Sequence, residues 1–485
     1  MRLLKIYVTS LTLLIVSNGF ASTPNVIYIL ADDLGFGDLS CYGQETLKTA
    51  NIDRLAENGM KFTSHYSGAT VCAPSRYVLL TGKHSGHAAI RNNRVSALTE
   101  DEFTLAELFK QAGYRTGLMG KWGVGTPHDD NDPKRAGFDE FYGYINMWHA
   151  HNYYPEFLIQ NGKKTMLRNE VPDFFDRPSD YVPSPYYQEG KGVATKKVDY
   201  APQLIHEEAL KFISGNKDNP FFLYYALNIP HANNEAGYGW SVSGERISNP
   251  NANGMAVPDL GKFGDEDWPI QEKGFASMIQ LIDGWVGEIV DLLTELGLSE
   301  NTVIMFSSDN GPHHEGNHDH TFFDSNGDFQ GYKRALFDGG IRVPFIVSWP
   351  GTIVKGGESD LMSGFWDMMP TMAELIGIER PYTDGISIVP ELRGNWKAQA
   401  HHEYLYWEFP DQGGKQALLY LNQWKAIRHG VGVNKSAPVE LYDLTWDVAE
   451  EHDLAGAYPG LAAKLHALMM EQHTPLNENW DLTHN

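Results

Sequence analysis

A large, mostly parallel α/β sheet flanked by helices, followed by a smaller C-terminal α+β domain with an antiparallel sheet, is the architecture this 485-residue sequence predicts. Three observations carry that prediction. Short apolar runs recur at 25–30 (NVIYIL), 220–228 (PFFLYYALN) and 302–308 (TVIMFSS), and each opens directly into polar residues. Segments with helical apolar periodicity lie between them, and repeated strand–loop–helix units imply a sheet covered on both faces. From about Asp384 the texture changes to short alternating strands. The chain is long enough for one large or two unequal domains, and the division falls at 22–383 and 384–485.

The elements follow in order. Strand 25–30 runs into Ala31-Asp32-Asp33-Leu34-Gly35, and adjacent carboxylates at a strand's carboxyl end suit a ligand site better than a core. A helix over 51–58 precedes VCAPSRYVLLTG (71–82). There Cys72 takes the N-cap position of a short helix, Pro74 is tolerated in the first turn, and Gly82 ends it. Helix 104–111, closed by Gly113, leads to strand 115–119 and then Gly120-Lys121-Trp122-Gly123. From Met147 to about Tyr200 the chain is aromatic and polar without a clear period, which predicts surface loops with a hairpin forming part of a substrate wall. Helix 201–214 precedes strand 220–228, which ends in Pro230-His231-Ala232-Asn233. The Gly- and Asn-rich stretch to Pro269 reads as a long loop or lid. Helix 274–296 and strand 302–308 open into Asp309-Asn310-Gly311, and GYKRALFDGGIRVP (331–344) leads to strand 345–349. In the C-terminal domain, EYLYWEF, KQALLY, WKAIR and VELYDL form the antiparallel sheet, and 459–472 forms the closing helix.

Composition narrows the function classes. Hydrophobic content of 42% with 21% charged residues is ordinary for a globular enzyme. Residues 1–21 (MRLLKIYVTSLTLLIVSNGFA) read as a secretory signal, with Arg2 and Lys5 ahead of an apolar core and small residues at its end, so the mature chain is expected to be periplasmic or secreted. No later stretch approaches 18 apolar residues, so no membrane span is expected. The net charge of −24 argues against nucleic acid and repels polyanions at long range, so any anionic substrate needs a local cluster of cations.

Two constellations supply chemistry. Asp32, Asp33, Asp309 and Asn310 are carboxylate and amide oxygens at two strand ends, a donor set suited to a hard divalent cation, Ca²⁺ before Mg²⁺. Arg76, Lys121, His231 and Lys333 form the cation set. The start of the 72–81 helix attracts anions through free N–H groups, and Arg76 adds a cation one turn on, so the segment suits a tetrahedral oxyanion such as sulfate or phosphate.

The ordered segments ADD, CAPSR with LLTG, GKW, PHAN, SDNG, and GYK with GGIRVP resemble the sulfatase family from about Asn25 to Pro350, and YDLTWDVAEEHDLA resembles its closing segment. The resemblance implies an alkaline-phosphatase-like fold, a Ca²⁺ ion and sulfate-ester hydrolysis. It also implies that a formylglycine-generating maturase converts Cys72 to formylglycine, whose hydrate is the nucleophile. On the same basis Asp32, Asp33, Asp309 and Asn310 hold Ca²⁺, Arg76 and Lys121 orient the nucleophile and sulfate, and Lys333 and His231 bind sulfate and help protonate the leaving alcohol. Only Cys41 and Cys72 occur. In an oxidising compartment they form either one disulfide or, with Cys72 modified before export, a lone buried thiol at Cys41.

The sequence departs from the family at one important place. Many sulfatases carry His two residues after the GKW lysine, where this chain has Gly123, and His128, His149, His151, His313 and His318 are not ranked by spacing as its replacement. Asp338 stands where Glu is commoner. The loop 312–320 (PHHEGNHDH) lacks the Cys or second carboxylate motif of a zinc site and reads as substrate-facing, with His149, His313 and His318 the candidate substrate contacts. Its wording resembles bacterial polysaccharide-directed sulfatases, which implies a sulfated carbohydrate of the galactose or N-acetylgalactosamine type. Two alternatives remain: a phosphomono- or phosphodiesterase of the same superfamily, and a non-catalytic protein that binds sulfated glycans.

Overall fold

The computed structural model describes residues 23–482 except 94–96, 100, 126–131, 172–188, 237, 241–245, 249–252, 380 and 478–479. The expected leader over 1–21 and His128 lie outside the described residues.

Ten strands build the main sheet: β1 (Asn25–Asp32), β2 (Met60–Phe62), β3 (Arg115–Lys121), β4 (Glu140–Tyr144), β5 (Phe157–Gln160), β6 (Lys163–Met166), β7 (Phe221–Pro230), β8 (Thr302–Ser308), β9 (Phe345–Ser348) and β10 (Gly357–Ser359). Their order is β10-β2-β9-β8-β1-β7-β3-β4-β5-β6. The five central strands, β8-β1-β7-β3-β4, are all parallel. The flanks are not: β9 runs antiparallel to β8 and β2, and β5 and β6 add antiparallel strands beyond β4. The sheet is therefore mixed, with a parallel centre. The aromatic segment after Met147 contributes its hairpin, β5–β6, to this sheet.

Side-chain alternation along β1 separates two cores. Val26, Tyr28 and Leu30 face one side, whereas Ile27, Ile29 and Ala31 face the other. On the first side lie α2 (Cys72–Thr81), α3 (Leu105–Gln111) and α6 (Met368–Ile376). On the second lie α1 (Ala50–Glu57), α4 (Ala201–Gly215) and α5 (Ile270–Glu295).

The C-terminal sheet is antiparallel throughout: β11 (Tyr404–Phe409), β12 (Lys415–Tyr420), β13 (Trp424–His429) and β14 (Glu440–Asp443). One face packs Tyr406, Leu418, Ala426 and Leu441 against Leu465 and Met469 of α7 (Pro459–Gln472). The other gives Leu405, Trp407, Ala417 and Ile427 to the same core as α2. Trp407 donates its indole N–H to Ser67 O at 2.9 Å, close to the start of α2. Between β7 and α5, where a long loop or lid is expected, a two-stranded ribbon pairs Tyr238–Trp240 with Arg246–Ser248.

Candidate active site

The parallel centre explains why motifs far apart in sequence meet. Neighbouring parallel strands end on one edge, and β8, β1, β7 and β3 bring Asp309, Asp32, His231 and Lys121 to that edge side by side. β7 and β3 run two residues further than the apolar runs suggest, so Pro230 and Lys121 belong to the strands themselves. β3 passes close to β7 at Gly120, where φ is +122° and a Cβ would meet Ala226 O at 1.8 Å. Only glycine permits that approach.

Cys72 is the first residue of α2, one position inside the expected cap, and Val71 occupies the cap. Gly82 ends the helix in the left-handed region (φ +69°), with its N–H donated to Val78 O. All of α2 is buried, so its first turn opens onto the sheet edge and not onto bulk solvent. Cys72 Sγ, one oxygen each of Asp32 and Asp33, and a ring nitrogen of His231 lie within 4.8 Å of one another.

Each cation is tied to one acidic strand end. Arg76 donates Nε–H to Asp309 Oδ2 at 2.9 Å, places Nη2 2.8 Å from the same oxygen, and gives Nη1–H to Lys121 O at 2.8 Å. Lys121 Nζ donates to Asp32 Oδ2 at 2.6 Å. Lys333 Nζ donates to Asp33 Oδ2 at 2.7 Å and to His231 Nε2 at 2.8 Å. His231 donates Nδ1–H to Ala232 O at 2.7 Å, which fixes its tautomer with Nε2 as acceptor. Asp33 adopts φ +63°, an uncommon conformation for a non-glycine residue, held by its N–H on Asp309 Oδ1 and by Asn310 Nδ2 on its Oδ1.

Burial and mutual charge set the protonation states. Burial opposes ionisation of Asp32, but Lys121, His231 and Arg76 outweigh it and hold the carboxyl well below its usual range. Burial, with Asp32 and Asp33 close by, pushes Asp309 up to about 7 against the pull of Arg76. Burial also pushes the Cys72 thiol up to about 11, although Lys121 and Lys333 pull it down. The unmodified thiol is therefore a poor nucleophile at neutral pH. His231 is lowered by burial and by Lys333, so it is a neutral imidazole.

The oxygen set fits a hard cation. Asp32 Oδ1 and Asn310 Oδ1 are buried and receive no hydrogen bond, and three buried carboxylates lie together. A divalent ion held by Asp32, Asp33, Asp309 and Asn310 would satisfy those oxygens and relieve the repulsion that raises Asp309.

Other candidates lie at varying distances from this centre. His313 adjoins it, with ring centroids 5.9 Å from His231; its Nε2–H goes to Pro230 O at 3.0 Å and its Nδ1 accepts Glu315 N–H at 3.2 Å. His318 is a layer further back, stacked on Phe275 and bonded to Glu272. His149 lies against Tyr144 and gives Nε2–H to Phe157 O at 2.9 Å, which packs it under the hairpin. The two cysteines are not bonded. Cys41 is half-buried, and burial with Asp53 pushes its thiol up to about 12. Asp338 binds Lys425 at 2.6 Å and Tyr66 at 3.0 Å, which makes it a tie to the C-terminal sheet.

Two site residues escaped the sequence reading. Glu315 is buried 3.5 Å from Lys333 and pairs with Arg334, itself at φ +78°. Asn93 donates Nδ2–H to Cys72 Sγ at 3.8 Å and accepts Ala73 N–H at 3.1 Å. Glu315, the one carboxylate in the His-rich 312–318, was the only one of the pair with a visible signal.

At this edge Arg76, Lys121 and Lys333, with the neutral His231 beside them, face the acidic strand ends around a helix start. The Sulfatase family profile matches residues 24–378, and a profile described as N-sulphoglucosamine sulphohydrolase, C-terminal, matches 319–475. N-acetylgalactosamine-6-sulfatase of Canis lupus familiaris is 32% identical over 78% of this chain and 67% of its own. Arylsulfatase A of Homo sapiens is 29% identical over 91% of this chain and 85% of its own. The crystal structure of Ps i-CgsB in complex with k-i-k-neocarrahexaose is 25% identical, covers 95% of this chain and 94% of its own, and superposes with a TM-score of 0.72. The chain belongs to the sulfatase family and is a sulfuric ester hydrolase.

Proposed function

We propose that this enzyme is an exported sulfatase that removes sulfate from a carbohydrate of the sulfated galactose or N-acetylgalactosamine type, using Ca²⁺ and formylglycine at position 72. The ring of Arg76, Lys121, His231 and Lys333 around Cys72 is the observation that carries this reading. The names of relatives, an N-acetylgalactosamine-6-sulfatase and a protein crystallised with k-i-k-neocarrahexaose, support the carbohydrate. The maturase acts on the CAPSR segment before export, and the expected leader over 1–21 supports the export. Among the described residues, no helix is long and apolar enough to cross a membrane.

Oxidised to an aldehyde and hydrated, residue 72 supplies a hydroxyl nucleophile where the thiol is unreactive; Ca²⁺ on the four oxygen ligands supplies charge for a sulfate oxygen. The chain's own residues do the rest. Lys121 and Lys333, each on an acidic strand end, present N–H groups to the remaining sulfate oxygens without reorganising. Arg76 is locked between Asp309 and the Lys121 carbonyl, so the floor of the site keeps its shape. Lys333 and His231 share a proton across 2.8 Å and place it where the leaving alkoxide forms. Protein shown by peptide mass to carry the aldehyde is expected to release sulfate from sulfated galactose or N-acetylgalactosamine oligosaccharides, and Cys72→Ala to release none. Aldehyde-bearing protein that leaves every such sugar intact would overturn the substrate reading.

A further inference from the structure

Position 123 is tight and strained for the histidine that the family resemblance leads one to expect. Gly123 has φ +78°, and a Cβ there would sit 3.0 Å from Arg76 Cδ. The histidines around the site differ in what their nitrogens do. His231 and His313 have both nitrogens engaged. His149 and His318 are turned to Phe157 and Glu272. His318 also leaves Nε2 buried without a hydrogen bond, but its ring stacks on Phe275, whereas that of His151 stacks on a site residue. His151 is 4% exposed, its ring stacks on His231 with centroids 4.2 Å apart at 16°, and its Nδ1 is buried without a hydrogen bond.

Its segment is fixed from three directions. Asn228 Nδ2 donates to Ala150 O at 2.7 Å, Tyr144 Oη to Asn152 O at 3.0 Å, and the Tyr153 hydroxyl to His231 O. His151 therefore stands one ring away from the cluster that holds Cys72, Asp32 and Asp33. Burial and the neighbouring Lys121 and Lys333 charges keep it a neutral imidazole. A buried nitrogen without a hydrogen bond beside the site has acceptor capacity to offer a group bound there.

We propose that His151 is the proton acceptor for sulfate release, in place of the side chain that Gly123 lacks. The inference rests on reading residue 72 as an aldehyde hydrate. Once one hydrate hydroxyl carries the sulfuryl group, the other gives its proton to His151 Nδ1. That O–H electron pair forms the C=O bond, the carbon–oxygen bond to sulfate breaks, and sulfate leaves with the electron pair of the broken bond. Water then rehydrates the aldehyde, and the proton on His151 passes to solvent. No oxidant or reductant is consumed.

His151→Phe keeps the ring against His231 and removes the nitrogen. Wild type and variant, matched for aldehyde content by peptide mass, are mixed with excess 4-nitrophenyl sulfate. The variant is expected to release a stoichiometric burst of phenol, then turn over about 10²–10⁴-fold more slowly. Its residue-72 peptide gains the mass of one SO₃, and imidazole restores turnover in His151→Ala. Should Phe not be accommodated, His151→Gln gives the same burst and adduct. Unchanged steady turnover, or slow turnover with neither burst nor adduct, would overturn the assignment. Aldehyde-bearing wild type that releases no sulfate at all would instead overturn the sulfatase chemistry beneath it.

Discussion

At the scale of single residues, the site works by pairing each cation with one acidic strand end. Such pairs are buried, where a lone charge is costly, so every partner is needed for the others to stay charged. Gly123 belongs to this arrangement although it carries no side chain. Gly123→His would force a bulky residue into the left-handed region and push Arg76 off Asp309. We predict that kcat/KM for aryl sulfates falls about tenfold or more in that variant. A gain in turnover would mean that the site does accept a family-type histidine there.

At the scale of elements, the helices are placed by local devices that hold the site from behind. α3 starts with a capping box: Thr104 Oγ1 accepts Glu107 N–H at 3.2 Å, and Glu107 Oε2 accepts Thr104 N–H at 2.9 Å. The same hydroxyl donates to Ala136 O at 2.6 Å in a fully buried position. Thr104→Ala therefore loses a cap and strands a buried carbonyl, a cost of about 1–3 kcal/mol in denaturant unfolding, whereas Thr104→Ser retains both bonds. Equal stability of the two variants would contradict that role.

The same scale shows what could be read in the chain. The acidic pairs Asp32–Asp33 and Asp309–Asn310 were legible because carboxylates directly after wholly apolar strands have no place in a core. CAPSR was legible from the proline and glycine that bound its helix. The antiparallel flanks were not, since β2 and β10 are three residues long and show no period. Asn93 and the standing of His151 were not either, because they arrive on loops whose position is set by distant contacts, such as Asn228 on Ala150.

At the scale of the whole molecule, one apolar core joins the C-terminal sheet to α2, α3 and α6, and polar ties cross the same boundary. Lys425 reaches Asp338 at 2.6 Å, and Lys415 donates to Arg334 O at 2.7 Å beside the site. The fold also buries histidines in neutral form. Burial lowers His65 and His149 to about 3 and His84 to about 4, against about 6.5 in the unfolded chain. The folded state thus binds fewer protons than the unfolded one. The stability these groups contribute is complete above about pH 6.5 and is lost as pH falls toward 4. Each contributes a slope of about 1.4 kcal/mol per pH unit in that window. Urea midpoints should fall steeply between pH 6 and 4.5, ahead of carboxylate protonation. Midpoints that stay level across that range would contradict the neutral buried state.

The central claim is that residue 72, once oxidised, attacks sulfate esters under the cations of the sheet edge. The most direct measurement compares 4-nitrophenyl sulfate with 4-nitrophenyl phosphate, using wild-type protein of known aldehyde content and Cys72→Ala. We predict that sulfate-ester turnover rises in proportion to aldehyde content, exceeds phosphate-ester turnover, and disappears in Cys72→Ala. Turnover that persists in Cys72→Ala, or that favours phosphate by orders of magnitude, would contradict it.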